Sequence, residues 1–180
     1  MTTMAPRVRK LALATHLTCS VGWIGAVVAY VVLGSAAAGS SDAETVRAAW
    51  IGMELIGWYT VVPLALTSWV TGLVMALGSP WGLFRYYWVL FAFVLTTLAM
   101  IVLLLHMPTV SSLADVAREA TGARVYRLGG DLFHSVLGLV VLLVIQVLNV
   151  YKPPGMTAYG WRKQEERRRT SVMQHPTPAP

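Results

Sequence analysis

Histidine and carboxylate side chains lie inside or next to the long apolar segments of this sequence, and their types could support metal or haem chemistry. They are His16, Glu54, His106, Asp131 and His134. Imidazole and carboxylate groups together bind Zn²⁺ or Cu²⁺, and neutral imidazole is a common axial ligand of haem iron. Ionisable groups are costly in a bilayer, and those that occur there tend to be functional. These residues are therefore the candidate functional residues.

The composition of the chain indicates a membrane protein. The chain has 180 residues, of which 56% are hydrophobic and 12% are charged, whereas a soluble domain carries about 25% charged residues. A soluble fold of this length would have to expose much of that apolar surface to water. The composition therefore argues against a soluble enzyme, a nucleic-acid-binding domain and a disordered chain, and it makes the lipid bilayer the expected partner.

Four apolar segments are long enough to cross a bilayer, which takes about 20 residues in a helix. The first segment is longer than the apolar part of a signal peptide, roughly 7–15 residues, so we expect it to be retained as a helix. The sequence therefore predicts an all-α protein, a four-transmembrane-helix bundle. The predicted spans are about 11–34, 48–77, 86–107 and 131–151.

The distribution of Lys and Arg predicts the orientation of these helices, because cytoplasmic loops carry the excess of positive charge. With four spans, ten of the 14 Lys and Arg residues fall on the side of the two termini and four on the opposite side. We therefore expect a plasma-membrane protein with both termini in the cytoplasm. Its predicted parts are an N-terminus of residues 1–10, a membrane domain of residues 11–151 and a basic, partly disordered tail of residues 152–180.

Residues at the helix ends predict where the chain bends or breaks. Ser41–Glu44 match a capping box and place the start of the second helix there, and Pro63 predicts a kink near Tyr59. Gly129–Asp131 predict a break, followed by capping of the fourth helix by Asp131. Between the third and fourth spans, one apolar helical face predicts a short interfacial helix on the outer side. That face comprises Val110, Leu113, Ala114 and Ala117.

Most of the candidate residues are predicted to lie at one depth in the membrane. The first and third helices end at the outer boundary, and the second and fourth begin there, so residues near those ends share a layer. We expect this outer layer to hold Tyr30, Glu54, His106, Asp131 and His134. The shared depth predicts a Glu/His/Asp cluster at the outer leaflet.

His16 is predicted to lie apart from the others, near the cytoplasmic side of the first helix. Gln146 and Asn149 of the fourth helix reach the same inner layer. A neutral imidazole that is hydrogen-bonded to an amide side chain explains His16 without any ligand.

The first hypothesis for the outer layer is a redox cofactor. His106 and His134 could be the axial ligands of a b-type haem held between the third and fourth helices. Small residues would then make room for the macrocycle. These are Ala92, Ala99 and Gly138.

Two other hypotheses remain open from the sequence. A divalent metal ion, copper or zinc, could be bound by Glu54, His106, His134 and Asp131, or Asp131 could orient His134 from outside the ligand set. Alternatively, the same side chains could form only an interhelical hydrogen-bond network, with Asp131 as a helix cap. No nucleotide-binding loop, nucleophile elbow or zincin motif is present in the sequence. Whether the protein is an enzyme, and whether it forms a homo-oligomer or joins a membrane complex, stays open.

Several segments resemble small predicted integral membrane proteins of actinobacteria, a family described only as a domain of unknown function. The segments are 15–26, 80–88, 103–107 and 151–163, and the likeness covers about residues 7–163. That family is distantly similar to the copper-resistance D-type and HemJ-type membrane proteins, in which histidine-bearing helices imply copper or haem. The resemblance implies that His16, His106 or His134 are ligands of such a cofactor.

Overall fold

The part of the chain that the structure describes folds into helices. The computed structural model describes residues 4–78, 82–119 and 128–174, without the side chains of 171–174. These ranges contain no β-strand, only an isolated bridge between Tyr86 and Met156. The prediction of an all-α protein is confirmed. The helices are α1 (Pro6–Gly39), α2 (Ala43–Ile56), a π-helical segment (Gly57–Val61), α3 (Val62–Gly78), α4 (Tyr87–Glu119), α5 (Leu132–Tyr151) and α6 (Ala158–Gln174).

Four long helical stretches are long and apolar enough to cross a membrane, and they fit an integral membrane protein. They are Pro6–Gly39, Ala43–Gly78, Tyr87–Glu119 and Leu132–Tyr151. Many of their large apolar side chains point away from the bundle and are exposed, as lipid contact requires. The 33 residues of α4 measure about 50 Å at 1.5 Å per residue, so this helix is longer than the hydrocarbon core of a bilayer is thick.

The four stretches form a bundle in which each packs against two neighbours. α1 packs against α2, α3 and α5, and α4 packs against the same three helices from the other side. We call the end with residues 39–43, 119 and 132 the distal end, and the end with residues 6, 78, 87 and 151 the terminal end. At the distal end the core contains Trp50, Met53 and Met107, all almost completely buried.

The second span contains a short segment of π-helix just before Pro63. The residues Gly57–Val61 form a π-helical segment, and the N–H of Val62 donates to the carbonyl of Gly57. Pro63 has no N–H, and its ring conflicts with the carbonyl of Tyr59 in a regular α-helix. The wider turn removes that conflict. The structure thus has a π-helical segment at the position of the kink predicted near Tyr59.

The amphipathic stretch after the third span is helical, but it is not a separate short helix. α4 continues from Tyr87 through Pro108 to Glu119 without a break. Val110, Ala114 and Ala117 are completely buried, because this part of α4 packs against α2. The predicted apolar face therefore extends the bundle beyond the apolar span, and it does so as part of the third span's own helix.

The cap of α2 differs from the predicted capping box. The N-cap is Asp42, whose carboxylate accepts hydrogen bonds from the N–H groups of Glu44 and Thr45 at 3.3 and 3.0 Å. The hydroxyl of Thr45 also donates to this carboxylate, at 2.6 Å. These bonds, that from the Thr45 hydroxyl foremost, lower the pKa of Asp42. Asp42 bonds two N–H groups by itself, so Ser41 is not needed as the cap.

The tail is attached to the terminal end before its helix begins. The N–H of Thr157 donates to the carbonyl of Arg85 at 3.0 Å, and the N–H of Tyr87 donates to the carbonyl of Gly155 at 3.2 Å. The basic helix α6 then extends to Gln174. The predicted disorder at the end of the tail falls on residues 175–180, which lie outside the described residues.

Candidate functional site

Two glycines bring the start of α5 against α1 at the distal end. A Cβ atom on Gly130 would collide with the backbone carbonyl of Gly34 in α1. Because the neighbouring backbone cannot move aside as a side chain can, only glycine permits this approach. The next residue is Asp131, whose backbone carbonyl lies against Gly34. The close approach therefore fixes Asp131 between α1 and the other helices.

The carboxylate of Asp131 contacts side chains from three helices. Its Oδ2 lies 2.6 Å from Nε2 of His106 in α4, and it accepts a hydrogen bond of 3.2 Å from the hydroxyl of Tyr30 in α1. Its Oδ1 lies 3.4 Å from Nδ1 of His134 in α5. The side chain of Asp131 is only 9% exposed, so these contacts replace most of its contact with solvent.

The prediction that Asp131 caps the fourth helix is wrong for its side chain. Asp131 does stand at the N-cap position of α5, but its carboxylate makes no capping hydrogen bond. Its carboxylate contacts the side chains of Tyr30, His106 and His134. The backbone carbonyl of Asp131 accepts a hydrogen bond from the hydroxyl of Ser135.

The two imidazoles beside Asp131 are stacked. The ring centroids of His106 and His134 lie 4.1 Å apart and the ring planes are inclined by 23°. His106, Asp131 and His134 can each offer one ligand atom such that all these atoms lie within 4.8 Å of one another. We call these residues the His–Asp cluster. In a tetrahedral zinc site the ligand atoms are about 3.4 Å apart, a separation within the 4.8 Å over which these atoms are spread.

The stacking does not suit a haem held by both histidines. The axial ligands of a haem point their nitrogen atoms at the iron from opposite faces of the macrocycle. Rings that lie face to face with centroids 4.1 Å apart leave no space between them for a macrocycle. Of the small residues predicted to make room, Ala99 and Gly138 line a cavity beside the cluster, whereas Ala92 is buried in the core.

Glu54 is not brought into the cluster. Its carboxylate forms an ion pair with Arg118 in the distal part of α4, and Arg118 also donates to Asp115 at 2.6 Å. The sequence does not predict this partner when the third span is taken to end at residue 107. In a continuous helix through the amphipathic face, Arg118 lies on the part of α4 that packs against α2, near whose end Glu54 stands.

His16 lies near the terminal end and contacts no member of the cluster. Its Nδ1 lies 3.0 Å from the carbonyl of Ser68 and 3.1 Å from the hydroxyl of Thr71. The carbonyl can only accept, so the Nδ1–H donates to it. The structure thus places the partners of this ring nitrogen on α3, and not on the amides of Gln146 and Asn149. Gly72 allows the contact, since its Cβ would lie 3.0 Å from the imidazole.

A cavity of about 290 Å³ adjoins the His–Asp cluster. Its walls come from α1, the π-helical segment, α4 and α5. Gly57 contributes to the wall, and Met107 occupies the space where a Cβ of residue 57 would lie. Tyr30, His106, Asp131 and His134 line the cavity at one end, and the remaining lining is almost entirely apolar.

The protein is thus a bundle of helices that fit a membrane, with a cluster of ionisable side chains at its distal end. Comparisons of the chain with family models, with curated proteins and with solved structures found no match. The function is therefore inferred from the chemistry of the residues themselves.

Proposed function

We propose that the protein binds one divalent transition-metal ion, Cu²⁺ or Zn²⁺, at the His–Asp cluster within the membrane. The observation that carries the proposal is the convergence of one ligand atom from each of His106, Asp131 and His134 within 4.8 Å. Two imidazoles and one carboxylate form a ligand set that suits these ions. Open positions on the ion would face the adjoining cavity.

The electrostatics of the cluster support a cation at this position. Asp131 supplies a negative charge, and its side chain is only 9% exposed. A divalent ion would take the place of the proton between His106 and Asp131, and metal binding at such a site releases protons. The hydroxyl of Tyr30 bonds Asp131 and would hold the carboxylate in place behind the ion, as hydrogen bonds outside the ligand set commonly do.

We further propose that the distal end faces the outside of the plasma membrane and that both termini are cytoplasmic. The excess of Lys and Arg on the side of the termini supports this orientation. The ion would then be taken from the external medium. The resemblance to proteins related to the copper-resistance D type makes copper the first ion to test.

The test is a metal titration of the detergent-purified, chelator-treated protein with Cu²⁺ or Zn²⁺. We expect one ion per chain, and we expect His134→Ala and Asp131→Asn to weaken binding by about 100-fold or more, since each removes a direct ligand. Glu54→Gln is the matched control, because Glu54 pairs with Arg118 and lies outside the cluster. It should bind the ion as the unchanged protein does.

Two outcomes would contradict the proposal. One is a folded protein that takes up far less than one ion per chain of either metal. The other is His134→Ala binding as tightly as the unchanged protein. His134 is 49% exposed, so its truncation should leave the fold intact, and thermal unfolding checks this for both variants.

A further inference from the structure

The cavity beside the His–Asp cluster extends along the bundle toward its middle. Trp23 lines it seven residues before Tyr30 in α1, and Leu95 lines it eleven residues before His106 in α4. At 1.5 Å per residue these separations correspond to about 10 and 17 Å along the helices. The cavity is therefore an elongated slot, with ionisable groups at its distal end and apolar side chains over the rest of its length.

The slot opens toward lipid between α4 and α5. Leu98, Val102 and Leu137 line the cavity and are each about half exposed on the outside of the bundle. They lie within helices that are apolar enough to span the membrane. A molecule dissolved in the bilayer could therefore enter from the side without crossing a polar surface.

The polar end of the slot favours a neutral headgroup. Among the described residues that line it there is no Lys or Arg, and its one carboxylate is Asp131. An anionic headgroup such as a carboxylate or phosphate would meet that negative charge without a compensating cation. A hydroxyl or carbonyl oxygen, in contrast, can exchange hydrogen bonds with Tyr30 and the imidazoles.

The walls of the slot favour a ring. Trp23, Tyr30 and the two stacked imidazoles contribute aromatic surface, and aromatic groups pack well against a flat headgroup. The volume of about 290 Å³ is at the lower limit of small-molecule pockets, roughly 300 Å³. It can hold a substituted ring, while an attached tail would leave between α4 and α5.

We propose that this slot binds a lipid-soluble molecule with a neutral, oxygen-bearing ring and an apolar tail, of the quinol–quinone class. The ring oxygens form hydrogen bonds with Tyr30 and the two imidazoles, and the tail contacts Leu98, Val102 and Leu137. This inference goes beyond metal binding and does not require it, because the cavity is lined by the protein's own residues.

The test is equilibrium binding of a decyl-substituted benzoquinone and its quinol to metal-free protein in detergent. Gly138→Leu is the decisive variant, because Gly138 lines the cavity and a Cβ there meets nothing within 4 Å. The leucine should fill the slot and weaken binding by at least about tenfold. The matched control is Gly25→Leu, whose Cβ also meets nothing within 4 Å and whose backbone lies on the exposed face of α1. It should leave binding unchanged.

A competition with decylbenzene decides whether the oxygens matter. The proposal expects this hydrocarbon to compete at least about tenfold more weakly, since it cannot replace the hydrogen bonds of the ring oxygens. Equal competition by decylbenzene would overturn the proposal in favour of an unspecific apolar slot, as would equal binding by Gly138→Leu. Should Gly138→Leu not fold, Ala99→Phe fills the same cavity from α4.

The same variants separate this inference from the proposed metal site. Gly138→Leu leaves every member of the His–Asp cluster in place, so its metal titration should match that of the unchanged protein. Loss of quinol binding with full metal binding supports the slot. If the protein binds the quinol but takes up no metal ion, the result supports the slot and contradicts only the proposed metal site.

Discussion

The carboxylate of Asp131 lies 2.6 Å from Nε2 of His106, although the two residues are 25 positions apart and Asp131 occupies the N-cap position of α5. An aspartate at such a position usually accepts bonds from the first amides of its own helix. Here the side chain instead bonds groups on α4 and α1. The contacts of Asp131 with His106 and Tyr30 link α1, α4 and the start of α5 at the distal end. They form the site on which the proposed function depends.

The hydroxyl of Tyr30 should support metal binding without contacting the ion. Tyr30→Phe removes the bond to Asp131 and keeps the ring, so we expect the metal affinity to fall by about tenfold with one ion still bound per chain. Tyr59→Phe is the matched control, since the Tyr59 side chain is exposed. Equal affinities of Tyr30→Phe and the unchanged protein in a metal titration would show that the hydroxyl has no such role.

The close approach of Gly130 to Gly34 should be essential for the site. In Gly130→Ala the new Cβ would collide with the Gly34 carbonyl, so α1 and the start of α5 must separate. We expect a loss of about 1–3 kcal/mol in stability, together with weaker metal binding as Asp131 shifts. Both are measured on purified protein, by thermal unfolding and by metal titration.

Gly25→Ala provides the comparison for this steric argument. Its Cβ meets nothing within 4 Å, and alanine is the better helix former. This variant should unfold at or above the temperature of the unchanged protein. If Gly130→Ala behaved in the same way, the predicted collision would not determine the position of Asp131.

The ion pair of Glu54 and Arg118 should stabilise the distal end without affecting the metal site. Arg118→Met leaves the mostly buried Glu54 carboxylate without this partner, so we expect a lower unfolding temperature and an unchanged metal stoichiometry. Asp115→Asn removes the other, exposed partner of Arg118 and should have little effect. The double variant Glu54→Gln/Arg118→Met should be at least as stable as Arg118→Met alone, because it no longer carries the uncompensated charge of Glu54. A less stable double variant would contradict the pairing.

The orientation of the bundle can be tested with an impermeant thiol reagent. Ser41→Cys places a thiol on the exposed connection at the distal end, and we expect it to react in intact cells. Gln164→Cys, exposed on α6, should react only after the cells are opened. The reverse pattern would place the His–Asp cluster on the cytoplasmic side. The native Cys19 is replaced by alanine in both variants so that only the introduced thiol can react.

The sequence alone was sufficient for the number and type of the spans. Long apolar runs require helices in a bilayer, because every backbone polar group must be satisfied within the segment. The helix rise then predicts the depth of each residue, and Tyr30, His106, Asp131 and His134 do meet at one level. These properties follow from local sequence, so no knowledge of neighbouring helices is needed.

The choice of partners was decided only by the tertiary structure. Depth does not give the rotation of a helix about its axis, and rotation determines that Asp131 bonds His106 whereas Glu54 bonds Arg118. The two imidazoles stack where α4 and α5 pack side by side, and the close approach of Gly130 to Gly34 places the Asp131 backbone against α1. Hydropathy and helical periodicity are properties of one segment. These contacts depend instead on how closely separate helices can pack, and that packing is determined jointly by residues that are distant in sequence.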